Sequence, residues 1–322
     1  MEKLRVALIG FGGIGHTHYR LVTEEESLEL IAICDIDDEK LLEARKLGVD
    51  RVYSDYRDLI DKESPDLVIV VTPPKYHVEQ ALYALDSGAY VLLEKPVATN
   101  LEEAKKLYYR ARGSNKVMVT FSLRYHGFYE EIKRVIDEVI GSPLYVYHYA
   151  IESYPPQEWI RDKTFSGGML NENSVHIIYL HCWWLGEIER VYARVWRVDP
   201  GSTIEDNLVL LMDHGGCESI LLQSWSGPGI ARGWSVIGEK GRIICNVYLR
   251  GSYKIVLSDG TVYREGDIGF SVIEMYRRQL RHFIECIRNG WRPYTGIEDG
   301  YRVREIVDAA YRSSREDWFI DV

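Results

Sequence analysis

The chain has 322 residues, 46% of them hydrophobic, and a formal net charge of -10. That length can bury substantial cores and favours two domains, while the acidic balance opposes binding to nucleic acid or to an anionic membrane, where cationic side chains must neutralise phosphates. No apolar run is long enough to span a bilayer, and Met1-Glu2-Lys3 leads straight into a strand-like segment without a signal-peptide core, so a cytoplasmic protein acting on a small molecule is expected.

In the first third, near-continuous apolar runs alternate with helical patterns. Leu4–Ile9, Leu30–Cys34, Leu67–Val71 and Tyr90–Leu93 read as buried strands, and segments such as Asp38–Leu47 and His77–Asp86 read as helices. Apolar strands separated by helices imply a parallel sheet covered on both faces. The expected fold class is therefore α/β: a Rossmann-type doubly wound domain over residues 1–121, followed by a second domain over 122–322. In the second domain a helix is expected near Tyr129–Val139. Period-two segments then run at Leu144–Ala150, Val191–Val198, Asn207–Met212, Glu218–Trp225 and Arg242–Leu249, which suggests an α+β domain with a large, open, mainly antiparallel sheet. Helices at Ser271–Arg288 and Ile297–Ser314 close the chain and are candidates to pack back on the first domain. The five cysteines, Cys34, Cys182, Cys217, Cys245 and Cys286, lack the paired spacing of a zinc site; they read as reduced thiols, and no metal is expected. The 23 tyrosines and 8 tryptophans suit a packed core and a carbohydrate-stacking surface equally well.

Directly after the first strand comes Gly10-Phe11-Gly12-Gly13-Ile14-Gly15, a G-x-G-x-x-G match. In that place the glycines allow a tight turn, close approach of a pyrophosphate to the backbone, and tight packing of the helix whose N-terminal N–H groups bind it. The second strand ends in Asp35, twenty residues beyond Gly15, where a carboxylate accepts hydrogen bonds from ribose hydroxyls and repels a 2′-phosphate. The cofactor expected is NAD rather than NADP. His16 and His18, in the first helix, read as solvated or packing residues.

Two further motifs, Thr72-Pro73-Pro74 with His77 and Glu94-Lys95-Pro96, follow the third and fourth strands. With Trp159-Ile160-Arg161, Ser166-Gly167-Gly168-Met169-Leu170-Asn171-Glu172, His176, Gly238-Glu239-Lys240-Gly241 and Glu298-Asp299-Gly300, they give a chain that resembles the glucose–fructose oxidoreductase, inositol dehydrogenase and MocA family over its whole length. The resemblance implies NAD-dependent hydride transfer to or from a hydroxyl carbon of a sugar, inositol or related polyol. It places Lys95 beside the nicotinamide, with Thr72, Pro73, Pro74, His77 and Glu94 bordering the cofactor. A lysine suits the role of proton acceptor only if desolvation and nearby positive charge disfavour its ammonium form.

The family also carries an aspartate four residues before a histidine on one helix, both acting on the substrate; the matches are Glu172 and His176, with glutamate replacing aspartate. A further family aspartate three residues beyond is Tyr179 here. Arg124, Tyr154, Trp159 and Arg161 are candidate substrate contacts. Relatives assemble through the open sheet, so a homodimer or homotetramer is expected. Two other readings remain open at this point: an NAD-retaining, redox-neutral glycosidase and a non-catalytic NAD-bound sensor.

Overall fold

The computed structural model describes residues 2–246, 251–269 and 271–322. The chain divides into two compact units, one made of Met1–Ser122 and Ile273–Arg302, the other of Leu123–Val272 and Val303–Val322.

The first unit alternates strand and helix: β1 (Leu4–Ile9), α1 (Gly13–Glu24), β2 (Leu28–Cys34), α2 (Asp38–Lys46), β3 (Val52–Tyr53), α3 (Tyr56–Glu63), β4 (Leu67–Val70), α4 (His77–Asp86), β5 (Tyr90–Leu93), α5 (Leu101–Ala111) and β6 (Val117–Val119). The strands form a six-stranded parallel sheet in the order β3-β2-β1-β4-β5-β6. Every residue of β4 is apolar and buried, as a strand covered on both faces requires. Helix starts are set locally: the side chains of Asp37, Asp55 and Asn100 accept from the backbone N–H groups of Glu39, Arg57 and Glu103, and each such cap contributes about 1 kcal/mol. The short strands β3 and β6 were not among those read from the sequence.

The second unit begins with α6 (Gly127–Glu138), whose buried Phe128, Tyr129, Ile132, Val135 and Ile136 recur at helical spacing. There follow β7 (Pro143–Ser153), two single turns α7 (Lys163–Ser166) and α8 (Met169–Glu172), and α9 (Val175–Leu185). Strands β8 (Arg190–Trp196), β9 (Asn207–Asp213), β10 (Glu218–Ser224), β11 (Ser226–Gly238), β12 (Gly241–Asn246), β13 (Ser252–Leu257) and β14 (Val262–Asp267) come next. The chain ends with α10 (Val272–Asn289), α11 (Ile297–Glu316) and β15 (Ile320–Asp321). Of the strand expected over Arg242–Leu249, residues 247–249 lie outside the described residues.

The strands of this unit form a nine-stranded sheet in the order β14-β13-β12-β11-β7-β10-β9-β8-β15, antiparallel except for the β7–β10 pair. Its two faces differ. Val146, Trp234, Ile243 and Ile255 pack against α6 and against Leu180 and Trp184 of α9, whereas Tyr145, Tyr147, Ile151, Leu222, Ile237 and Ile244 are exposed.

Candidate active site

In the first unit the fingerprint loop links β1 to α1. Gly10 has φ +99°, and a Cβ there would lie 2.8 Å from the Val71 carbonyl oxygen; a Cβ on Gly15 would lie 2.5 Å from that of Gly10. These two glycines serve the packing of loop and helix. At Gly12 and Gly13, by contrast, nothing in the protein lies within 4 Å of an added Cβ. That space flanks the start of α1, where no side chain caps the helix and no acidic residue occupies the first turn, so the free N–H groups and positive dipole end suit an anion. Asp35 is fixed at the tip of β2. Its Oδ2 accepts from the Phe11 N–H at 2.6 Å and its Oδ1 from the Asp37 N–H at 3.0 Å. The residues present therefore fit a dinucleotide: Gly12, Gly13 and the start of α1 for the pyrophosphate, Asp35 for the ribose hydroxyls. His16 stacks on Phe11 at 4.2 Å and meets Glu43 at 2.8 Å, a packing role.

The Thr-Pro-Pro and Glu-Lys-Pro turns stand at the carboxyl ends of the neighbouring strands β4 and β5, where folds of this kind hold ligands. His77 links the turns. Wholly buried, it places Nδ1 2.8 Å from the Pro96 carbonyl oxygen and Nε2 2.7 Å from that of Thr72, and burial lowers its pKa. Glu94 is buried as well. Burial pushes its carboxyl up, but the hydrogen bond and charge of His18 and the Thr120 hydroxyl hold it below the usual range. The Lys95 backbone N–H donates to Thr120 Oγ1 at 3.1 Å and lies 3.2 Å from Glu94 Oε2, so the lysine's backbone is anchored from two sides while its side chain is half-buried. Set between two carbonyls, one of which accepts its ring N–H, His77 is a brace for the turns. Glu94 plays the same part, and Thr72 donates its hydroxyl to Gln80 at 2.6 Å.

In the second unit, Glu172 and His176 do not share one helix, contrary to the expectation from their spacing. Glu172 ends α8, His176 is the second residue of α9, and Asn173 and Ser174 form a turn between the two helices. At that turn the Ser174 hydroxyl donates to Gln223 on β10 and ties the chain to the sheet, a contact remote in sequence. The segment leading into this turn is pinned from below. Leu170 N–H donates to the buried Glu205 at 2.9 Å, Tyr311 O–H to the Gly167 carbonyl at 3.0 Å, and Arg304 to Asn171 Oδ1 at 2.5 Å. Tyr179, at the position of a family aspartate, is buried in the core.

His176 lines a cavity of about 280 Å³ on the covered face of the sheet, along with Asn173, His148, Glu152, Gln223, Arg232 and Trp234. None of Glu172, Arg124, Tyr154, Trp159 and Arg161 lines it. Arg124 lies 3.9 Å over the Trp183 ring, and Arg161 stacks 3.9 Å over Tyr154 while pairing with Asp199. Sequence reasoning missed His148, Glu152, Arg232 and Trp234. Their signal is period-two placement: 148 and 152 on β7, 232 and 234 on β11, all on the inward face.

The model of an oxidoreductase family with an NAD-binding Rossmann fold matches residues 4–121, and that of the same family's C-terminal alpha/beta domain matches residues 132–322. The chain belongs to the Gfo/Idh/MocA oxidoreductase family. It is 27% identical to scyllo-inositol 2-dehydrogenase (NAD(+)) of Bacillus subtilis, over 98% of this chain and 95% of that protein. It is 25% identical to myo-inositol 2-dehydrogenase of Thermotoga maritima, over 97% of each. The fold matches that of levoglucosan dehydrogenase in complex with NADH with a TM-score of 0.90 at 22% identity, covering 100% of this chain and 99% of that one. This member of the Gfo/Idh/MocA family is accordingly an NAD-dependent oxidoreductase, and among its described residues no helix is long and apolar enough to cross a membrane.

Proposed function

We propose that the protein oxidises a hydroxyl-bearing carbon of a sugar, inositol or related polyol, with NAD as hydride acceptor. The observation that carries this reading is the pairing of an uncapped, sterically open fingerprint helix and its fixed Asp35 in one unit with a polar, aromatic-backed cavity holding His176 in the other. Relatives that act on inositols support it.

When bound, the dinucleotide supplies the hydride acceptor. The protein's own part is to hold the substrate and move a proton. Lys95, fixed through its backbone by Thr120, takes the hydroxyl proton. His176 binds the reacting oxygen, and Glu172, from the preceding helical turn, orients the approach. Residues 1–122 with 273–302 serve as the cofactor unit, and 123–272 with 303–322 as the substrate and assembly unit, so the second domain expected over 122–322 lends residues 273–302 to the first. The exposed apolar face of the nine-stranded sheet, which includes Tyr145, Tyr147, Ile151 and Leu222, supports assembly of identical chains into a dimer or tetramer. Five cysteines that form no disulfide among the described residues fit a cytoplasmic location.

The direct experiment is growth of NADH absorbance at 340 nm with a panel of inositols, aldoses, sugar acids and glycosides. A member of the inositol or free-sugar classes should give signal, and Lys95→Ala should lower kcat about a thousandfold with NAD still bound by calorimetry. A Lys95→Ala protein of unaltered kcat overturns the assignment of the base. Release of sugar from glycosides without NADH would replace the reaction with redox-neutral hydrolysis.

A further inference from the structure

Two buried nitrogens in the cavity of the second unit are not used by the proposed chemistry. His148 on β7 and Trp234 on β11 stand directly opposite each other in the antiparallel register, so their side chains are cross-strand neighbours on the inward face. Both line the cavity that contains His176. Trp234 is 1% exposed and His148 6%. Among the described residues, Trp234 Nε1 and His148 Nδ1 have no hydrogen-bond partner. A sealed polar atom left unmet costs about 1–3 kcal/mol, and nearly all such atoms in native proteins are met by protein, water or ligand.

The chemical character of the two groups specifies what would meet them. An indole N–H can only donate. The imidazole is neutral, since burial and the nearby Arg232 guanidinium push its pKa down to about 3; with the ring proton on Nε2, its unpartnered Nδ1 offers a lone pair. On its other side the His148 ring faces the wholly buried His181 at 6.0 Å, which burial also keeps uncharged. The ionic groups of the cavity wall cancel, because Arg232 is paired with Glu152. A donor on β11 and an acceptor opposite it on β7, lining one cavity whose Arg232 and Glu152 charges are paired, are complementary to a hydroxyl group, whose oxygen accepts from the indole and whose hydrogen goes to the imidazole. A carboxylate or phosphate would turn acceptor oxygens toward the imidazole lone pair, and an ammonium would turn donors toward the indole N–H.

We propose that Trp234 and His148 form a recognition site for one non-reacting hydroxyl of the substrate, and thereby select a neutral polyol over its deoxy and anionic analogues. The assignment rests on the reading of this cavity as the place where a polyol is held. Neither residue touches the reacting carbon in this scheme, so their removal acts on binding rather than on turnover.

The test uses the full chain as wild type, Trp234→Phe and His148→Phe, with the polyol that the wild type oxidises best and its monodeoxy analogues. Each variant should raise KM for the parent polyol about tenfold or more with kcat within about threefold, as expected when interactions that bind substrate and transition state equally are lost. One monodeoxy analogue should show the same penalty with the wild type and no added penalty with the variants. Calorimetric binding of the parent polyol to the NADH-loaded proteins should weaken by the same factor. Unchanged KM in both variants, or a penalty equal for every deoxy analogue, overturns the inference, the latter pattern being that of packing or of a buried structural water. Should the variants fail to fold, the wild type decides: parent-like KM for every monodeoxy analogue overturns it equally. If the wild type oxidises no polyol or sugar, the functional reading falls first; if it does and the variants behave as wild type, only this inference falls.

Discussion

Strand β4 is buried on both faces along its whole length, whereas β7 alternates, with Val146, His148 and Ala150 turned inward and Tyr145, Tyr147 and Ile151 exposed. In the first unit the sheet is scaffold, and the residues proposed to serve the cofactor stand in the turns after its strands: Gly10–Gly15, Thr72–Pro74 and Glu94–Pro96. In the second unit the sheet itself supplies the cavity wall, through side chains two residues apart on strands that are remote in sequence. A turn can be rebuilt without disturbing the sheet behind it. A residue in the wall packs the core and lines the cavity together, so the two units should respond differently to substitution.

Gly168→Ala should have the largest effect. At φ +108°, a Cβ there would lie 2.2 Å from the Tyr311 hydroxyl oxygen and 2.7 Å from Glu205, so strain adds to a clash beneath the His176 approach. A loss of about 3 kcal/mol in thermal or denaturant unfolding is expected, and a melting curve superimposable on wild type would show that this wall tolerates change as a turn does. Gly12→Ala is the counterpart. Its backbone is extended, with φ -79° and ψ -161°, and it has no protein neighbour within 4 Å, so stability should hold while NAD affinity falls about tenfold to a hundredfold, roughly 1.4–2.8 kcal/mol. Equal NAD affinity in titration calorimetry would mean that the open space there is not the pyrophosphate cradle.

The uncovered face gives a third contrast. Tyr147→Glu with Leu222→Glu puts carboxylates on an exposed apolar surface, and light scattering should show monomers where the parent forms dimers or tetramers, with secondary structure retained; a parent already monomeric would remove the assembly role.

The smallest effect is expected at Asp299, near the start of α11, where burial raises the carboxyl pKa from 3.8 to about 6 despite the Gly296 N–H it accepts at 2.9 Å. Between those values the folded state binds more protons than the unfolded one, so this group makes stability fall as pH rises from about 4 to 6 and leaves it lower above. Asp299→Asn should be the more stable protein at pH 7 by roughly 1–2 kcal/mol, with the difference gone near pH 4 in parallel melts.

How much of this could be read from the sequence follows the same division. Strands Leu4–Ile9 and Tyr90–Leu93 were found at their expected bounds because a fully buried strand is written as an unbroken apolar run. The cofactor motifs were legible because each is contiguous. The central strand Ser226–Gly238 was not, since it opens with Ser-Gly-Pro-Gly, which reads as a loop, and is made a strand by the partners β7 and β12 on its two sides. The cavity was not legible for a related reason: period-two spacing can turn His148 and Trp234 inward, but only strand register sets them opposite each other. The break between Glu172 and His176 depends on a hydrogen bond from Ser174 to a residue 49 positions away.

Helix α11 belongs to both units, its first residues up to Arg302 to one and those from Val303 onward to the other. The polypeptide thus passes from the first unit to the second, back, and across again, so neither is a cassette that a single cut releases. Ser313 and Ser314 accept from the backbone N–H groups of Ala193 and Val195 on β8, and β15 adds the edge strand beside them. Gene shuffling that exchanges substrate preference among such enzymes therefore has to move two stretches of chain together. A chimaera that carries over only residues 123–272 would keep a foreign tail stitched into the transplanted sheet, and inheritance of specificity in this architecture is tied to inheritance of the carboxyl terminus.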